Sequence, residues 1–169
     1  QLQNSFSVNM LALNDGRPEV MGVRAVLNAF IAFRREVIKR RTSYLLNKAR
    51  VRAHLLIGLA IAVANIDEII TLIKASADTQ TAKTGLMERE WKSEQIVPLL
   101  NLVADHRNEI KDGKCFLTEE QAKAILEMKL QRLTALEKGK IDNELAELAK
   151  TIQEYLELLF SDEKLMSLI

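Results

Sequence analysis

From Val23 to Ala64 the chain has no proline and a single glycine, Gly58. A stretch of about 42 residues without a breaker reads as one helix, roughly 63 Å long at 1.5 Å per residue. Few small domains hold such an element inside a compact core. It needs a partner along most of its length, because a long helix is stabilised by burying an apolar face rather than by propensity alone. The apolar positions keep a 4-3 spacing in two phases. The first is Val26, Phe30, Phe33 and Val37. The second is Ile38, Thr42, Leu45, Ala49, Arg52, Leu56, Leu59, Val63 and Ile66. One residue separates the phases, so the seam turns by about 100° near Val37. The start of the helix is therefore expected to pack on one body and its remainder on another.

The second clean heptad lies near the other end: Ile141, Leu145, Leu148, Ile152, Tyr155 and Leu159. Two apolar seams pair most simply with each other, antiparallel, with the chain between them forming a head. Charge supports the pairing. Residues 34–54 hold eight Lys/Arg and one acid, whereas residues 134–169 hold four Lys and eight acids. Opposite charge flanking two seams selects partner and orientation. A compact bundle of ordinary amphipathic helices is the other arrangement the pattern allows.

Local signals fill in the remainder. Asn14-Asp15-Gly16 with Pro18 reads as a hairpin turn between a strand carrying Phe6, Val8, Met10 and Ala12 and a short return over Glu19–Met21. No other β-structure is expected. Asn65-Ile66-Asp67-Glu68 and Thr118-Glu119-Glu120-Gln121 have the form of capping boxes. Ser76–Thr81 reads as a polar loop, Thr81–Arg89 as a short helix and Trp91–Val103 as another, with Pro98 near its first turn or at a kink. A break is expected around Arg132-Leu133-Thr134, and Ser161-Asp162-Glu163 starts a final helix. The fold class is thus mainly α. It comprises a hairpin (residues 1–21), the first arm of a long antiparallel coiled-coil stalk (22–64), a small helical head (65–133) and the second arm with a last helix (134–169). Only 6 Gly and 2 Pro in 169 residues agree with long helices and exclude a many-turned sandwich or barrel. The chain opens on Gln1 and closes on Leu165-Met166-Ser167-Leu168-Ile169, and we take it as a piece of a longer protein.

The residues offer no catalytic constellation. The glycines stand singly, so no phosphate-cradling loop forms. Cys115 is the only cysteine, and His54 and His106 lie far apart; both histidines are expected to be structural or solvent-facing. Tyr155 occupies a seam position, and Tyr44 follows Arg40-Arg41-Thr42-Ser43 without a metal-binding acidic cluster. Arg34, Arg35, Lys39, Arg40 and Arg41 are candidate DNA-facing cations, against the simpler alternative of a solvated or salt-bridged helix face. Leu130, Leu133 and Leu136 surround Gln131, Arg132 and Thr134 at the expected break. With Gln131 and Thr134 they form a candidate self-association patch, since exposed apolar patches mark partner surfaces. Filling the head's own core is the other role open to these leucines.

Several longer motifs identify the chain more closely. Leu11-Ala12-Leu13-Asn14-Asp15-Gly16-Arg17-Pro18, Phe33-Arg34-Arg35-Glu36-Val37 and Arg40-Arg41-Thr42 resemble the A subunits of bacterial type IIA topoisomerases, DNA gyrase foremost. So do Lys48-Ala49-Arg50, Arg52-Ala53-His54, Gly58-Leu59-Ala60-Ile61-Ala62 and Ala64-Asn65-Ile66-Asp67-Glu68. Glu119-Glu120-Gln121-Ala122, Ala124-Ile125-Leu126-Glu127-Met128, Leu130-Gln131-Arg132-Leu133-Thr134 and Ser161-Asp162-Glu163-Lys164-Leu165 complete the set. The order and spacing are the family's over essentially the whole chain. The topoisomerase IV counterpart is similar, but fits less well around Lys48–His54 and Leu130–Thr134.

The resemblance implies the end of a tower region, a coiled coil and the dimerisation head at its tip. In that family two heads form an exit gate for the transported DNA. It also implies a cytoplasmic parent that introduces negative supercoils by ATP-dependent double-strand breakage and passage. ATP and Mg are expected on the gyrase B subunit, in an A2B2 complex. The family's cleavage tyrosine stands in an upstream winged-helix motif that neither Tyr44 nor Tyr155 matches. No catalytic, cofactor-binding or metal residue is carried over, and no cofactor is expected on this chain. From the residues alone, a coiled-coil module that binds another helix or nucleic acid is the alternative.

Overall fold

The computed structural model describes residues 3–4, 9–92, 110–111, 114–128 and 135–169, with the backbone alone for 110, 111 and 135–138. Contacts divide the chain into two units, Gln1–Ser43 with Leu158–Ile169, and Tyr44–Glu157.

In the first unit, β1 (Leu11–Asn14) and β2 (Arg17–Val20) form an antiparallel hairpin with Asn14 opposite Arg17 and Leu11 opposite Val20. Asp15 (φ 47°) and Gly16 (φ 77°) both take left-handed backbone, the demand of a two-residue turn matched to strand twist. The strands sit slightly later than expected at the first arm and earlier at the second. Phe6 and Val8 lie outside the described residues. Helix α1 then runs Val23–Ala64, with the two boundaries read from the sequence. It starts in this unit and continues into the second. The last helix, α6 (Asp162–Ser167), is capped by Ser161, whose hydroxyl accepts from the Lys164 N–H.

The second unit holds α1 from Tyr44, α2 (Ile66–Ala75), α3 (Thr79–Glu88), α4 (Glu119–Leu126) and most of α5 (Ala135–Phe160). The buried apolar side chains of α1 here are Leu46, Ala49, Ala53, Leu56 and Ala60, joined by Ile57, Ile61 and Ala62, and His54 is buried among them. This corrects the seam assignment. Ala49 and Leu56 stand as expected, but Leu46, Ala53 and Ala60 are buried where Leu45, Arg52 and Leu59 were expected. Arg52 cannot occupy a seam without an unpaired buried charge, and it turns outward to a carboxylate on α5. Beyond Ala53 the buried face of α1 widens from one stripe to two, taking in His54, Ile57, Ile61 and Ala62. On α5, Ile141, Leu145, Ala149 and Ile152 are buried, while Leu148 and Tyr155 are half-buried.

Chain direction turns by 90° between α1 and α2. The expected capping box at Asn65 does not form. Its side-chain amide instead donates to the carbonyls of Ile61 (2.9 Å) and Lys92 (3.0 Å), so it ties the corner to a distant strand. The expected helix from Trp91 is also corrected. Trp91–Lys92 is a strand, β3, the rest of that helix lies outside the described residues, and β3 belongs to a small sheet with β4 (Ile110–Lys111) and β5 (Lys114–Cys115), ordered β3-β5-β4. The hairpin is therefore not the only β-structure. Trp91 is buried and its indole N–H donates to Leu86 O (2.8 Å), anchoring that sheet to α3. Helix α3 begins two residues earlier than expected, at Thr79, because Asp78 caps it through the Thr81 N–H. No single helix among the described residues is long and apolar enough to cross a membrane.

Candidate functional site

The basic run of α1 is sorted by its partners. Arg35 meets Asp162 at 2.6 Å, and Lys39 approaches the same carboxylate at 3.8 Å. The Arg35 guanidinium, then Lys39, holds the Asp162 carboxyl below the usual carboxylate range. Arg40 pairs with Glu36 one turn before it. Arg34 and Arg41 are exposed and make no ion pair or hydrogen bond among the described residues. Of the five candidate DNA-facing cations, three are therefore partnered by carboxylates and two have no partner among the described residues.

In the second unit Arg52 donates to both oxygens of Glu144, at 2.7 and 3.1 Å. This bidentate bridge joins α1 to α5 with the charge signs expected from the sequence. Planar guanidinium–carboxylate pairs fix orientation as well as proximity.

Of the two roles expected for His54, the structural one holds, but its joining to the Thr118–Gln121 box was not foreseen. His54 is fully buried, and its Nε2 lies 2.8 Å from the hydroxyl of Thr118. Gln121, also fully buried, donates to the carbonyl of His54 at 2.8 Å and accepts from the Thr118 N–H at 3.1 Å. The capping box at Thr118 and Gln121 thus forms as expected, and it doubles as the joint between α4 and α1. Gly58 makes the approach possible: a Cβ there would lie 2.6 Å from Gln121 Cγ. The only signal in the sequence was a histidine set in an apolar helical run four residues before a glycine.

Two concavities accompany these groups, the first of mixed lining, with Asn14, Asp15 and Glu36 at its wall, and the second apolar. In the first unit a cavity of about 450 Å³ lies between the hairpin and α1, lined by Leu13, Met21, Val26, Phe30 and Phe33. Phe30 and Phe33 remain 54% and 62% exposed, so the first phase of the helix has only partial cover among the described residues. In the second unit a groove of about 280 Å³ is lined by Ala62, Ile66, Ile69, Ile70, Ile73, Ile125, Leu126 and Met128, with Lys74 at its edge.

Tyr44 is exposed and Tyr155 half-buried. Leu130, Gln131, Leu133 and Thr134 of the candidate self-association patch lie outside the described residues, as does the side chain of Leu136. His106 and Arg132 lie outside them too.

Comparison with known proteins assigns the lineage. The model of the DNA gyrase/topoisomerase IV A-subunit family matches residues 1–169. The gyrase A protein of Rickettsia bellii is 56% identical over 169 residues, covering all of this chain and 19% of the relative. That of Granulibacter bethesdensis is 52% identical over all of this chain and 18% of its own length. A more distant one, from Clostridium acetobutylicum, is 43% identical over all of this chain and 17% of its own. The chain thus spans less than a fifth of the length of these relatives. A match over every residue, at such identity, leaves one conclusion: the chain belongs to the family of DNA gyrase and topoisomerase IV A subunits.

Proposed function

We propose that this chain is the exit-gate region of the A subunit of a DNA gyrase. On this reading it is a non-catalytic module that holds two copies together and opens to release a transported duplex. The observation that carries it is the 42-residue helix bridged through Arg52–Glu144 to α5, in a chain matched throughout by that family. A long helix braced by a guanidinium–carboxylate bridge suits a part that moves as a body. Self-association is assigned to the patch formed by Leu130, Gln131, Leu133, Thr134 and Leu136. The whole protein, on this reading, works in the cytoplasm as an A2B2 complex that changes DNA supercoiling by ATP-dependent breakage and passage. The B subunit supplies the ATP and Mg chemistry, and this chain requires no cofactor. Transported DNA is a transient partner.

The test is the size of the isolated chain. Sedimentation equilibrium without DNA should give a dimer, and Leu133→Asp should weaken it while far-UV circular dichroism stays nearly unchanged. A chain that is monomeric at every concentration overturns the gate. An undiminished Leu133→Asp dimer moves the interface elsewhere, and a collapse of helicity assigns Leu133 to the core.

A further inference from the structure

The structure assigns Arg34 and Arg41 of α1 as a pair that grips the phosphate backbone of duplex DNA, whereas Arg35, Lys39 and Arg40 serve the fold. The inference deepens the gate reading and rests on it, since it names where the passing duplex is touched. It starts from the distribution of charge in the first unit. Arg35 and Lys39 share the single carboxylate of Asp162, and Arg40 holds Glu36. Those three cations are occupied within the unit. Arg34 and Arg41 are exposed and bond to nothing among the described residues.

Helix geometry then places the two free guanidiniums together. They are seven residues apart, so they lie within about 20° of each other on the helix surface. Arg35 and Lys39 sit about 100–140° around from Arg34 at 3.6 residues per turn. Arg35 and Lys39 are thus neutralised by a carboxylate, whereas Arg34 and Arg41, with the half-buried Val37 and Ile38 between them, keep their charge. The axial spacing of Arg34 and Arg41 is about 10.5 Å at 1.5 Å per residue. A DNA strand presents a phosphate about every 3.4 Å of axis. That axial rise is shorter than the distance between neighbouring phosphates along the winding strand, and a helix lying along the backbone sets its two arginines on separate phosphates. Arginine is also the side chain whose planar fork matches a phosphate. Contacts of this kind carry no sequence information, which suits a duplex that must pass through rather than stay.

Binding of a short labelled duplex to the full chain, followed by anisotropy from 50 to 200 mM salt, tests the assignment. Each lost phosphate contact lowers the slope of log affinity against log salt by about 0.9. Arg34→Ala/Arg41→Ala should lower it by about 1.8, so the variant loses about twelvefold less affinity over that range than the unmodified chain. Arg17→Ala/Arg24→Ala removes two exposed charges from the same unit and should leave the slope near the unmodified value. An equal fall in both double variants would reduce the effect to net charge and overturn the pair. So would an unmodified chain that binds no duplex, or an unaltered slope in Arg34→Ala/Arg41→Ala. Unaltered DNA binding with weakened self-association would give the pair to an acidic protein surface instead. Sedimentation of the same samples keeps the two readings apart. A monomeric chain refutes the gate, while the arginine pair stands or falls on its slope.

Discussion

Gly58 and Gln121 approach so closely that the side chain at one dictates the other. Alanine in place of a helix-interior glycine ordinarily gains about 0.5–1 kcal/mol. Here its Cβ would lie 2.6 Å from Gln121 Cγ and 2.7 Å from Gln121 Cβ. Gln121 is held by bonds to His54 O and Thr118 N and has no room to retreat without losing them. Overpacking costs about 1–3 kcal/mol, so Gly58→Ala should destabilise the chain in urea unfolding; a more stable variant would refute the close packing of α4 on α1. A second residue-scale outcome concerns acid. Arg35, and after it Lys39, depresses the Asp162 carboxyl; Lys83 does the same for Glu119, and the Thr81 N–H for Asp78. A carboxyl depressed by folding contributes stability above its unfolded value, near 3.9 for Asp and 4.3 for Glu, and loses it as pH falls through the folded value. Melting points measured from pH 7 down to pH 3 should fall less steeply for Asp162→Asn than for the unmodified chain. Parallel curves would show that the pair contributes nothing. At this scale the sequence was legible where partners are local. Thr118 and Gln121 are three residues apart and their box formed. Asn65 found a partner at Lys92, and His54 one at Thr118, separations that no local motif encodes.

The elements show why a helix can be bounded correctly and still be turned wrongly. The ends of α1 follow from Gly22 before it and Asn65 after it, and from the lack of breakers between. The seam was read one position off at alternate sites because leucine stands at both 45 and 46, and apolar pattern cannot choose between neighbours. The tie is broken by what flanks the seam: Arg52 reaches Glu144 only if Ala53 faces inward. Leu46→Ala should accordingly cost about 2–5 kcal/mol, in the range of buried leucine truncations, and Leu45→Ala distinctly less. Equal costs in chemical denaturation would return the seam to its expected phase. Ile152→Ala, at a fully buried site on α5, belongs to the same class of about 2–5 kcal/mol. A change below about 0.5 kcal/mol, typical of exposed sites, would separate α5 from the core. The strands β3, β4 and β5 escaped the sequence because two residues are too few to show a period of two. They hold by tertiary means, chiefly the burial of Trp91 and Cys115.

At the scale of the molecule the two units differ in how well they cover their apolar groups. The second keeps Leu56, Ile57, Ile61, Leu86, Leu145 and Ile152 at 2% exposure or less. The first leaves Leu11, Leu13, Val20, Val23, Leu27, Phe30, Phe33 and Phe160 more than half exposed, although Thr42 and Leu165 are buried in it. A two-stranded hairpin is marginal in water without a packed face, and a helix whose seam is open leans on propensity alone. Local opening free energies follow such differences in burial and contact. Hydrogen exchange of the isolated chain should therefore be graded along α1 itself. Amides from about Leu46 to Ala62 should exchange with the stability of the whole, and those from Val23 to about Phe33 much faster. The hairpin should exchange fastest, and the β1–β2 turn at Asp15-Gly16 should be cut first by a non-specific protease. Uniform protection from Val23 to Ala64 would mean that the open face of the first unit is closed in solution, by a second copy if protection at Phe30 and Phe33 rises with protein concentration. The two phases in the sequence hinted at this gradient near Val37. Which phase would lack cover was not legible, because apolar spacing records that a face needs burial and not what supplies it.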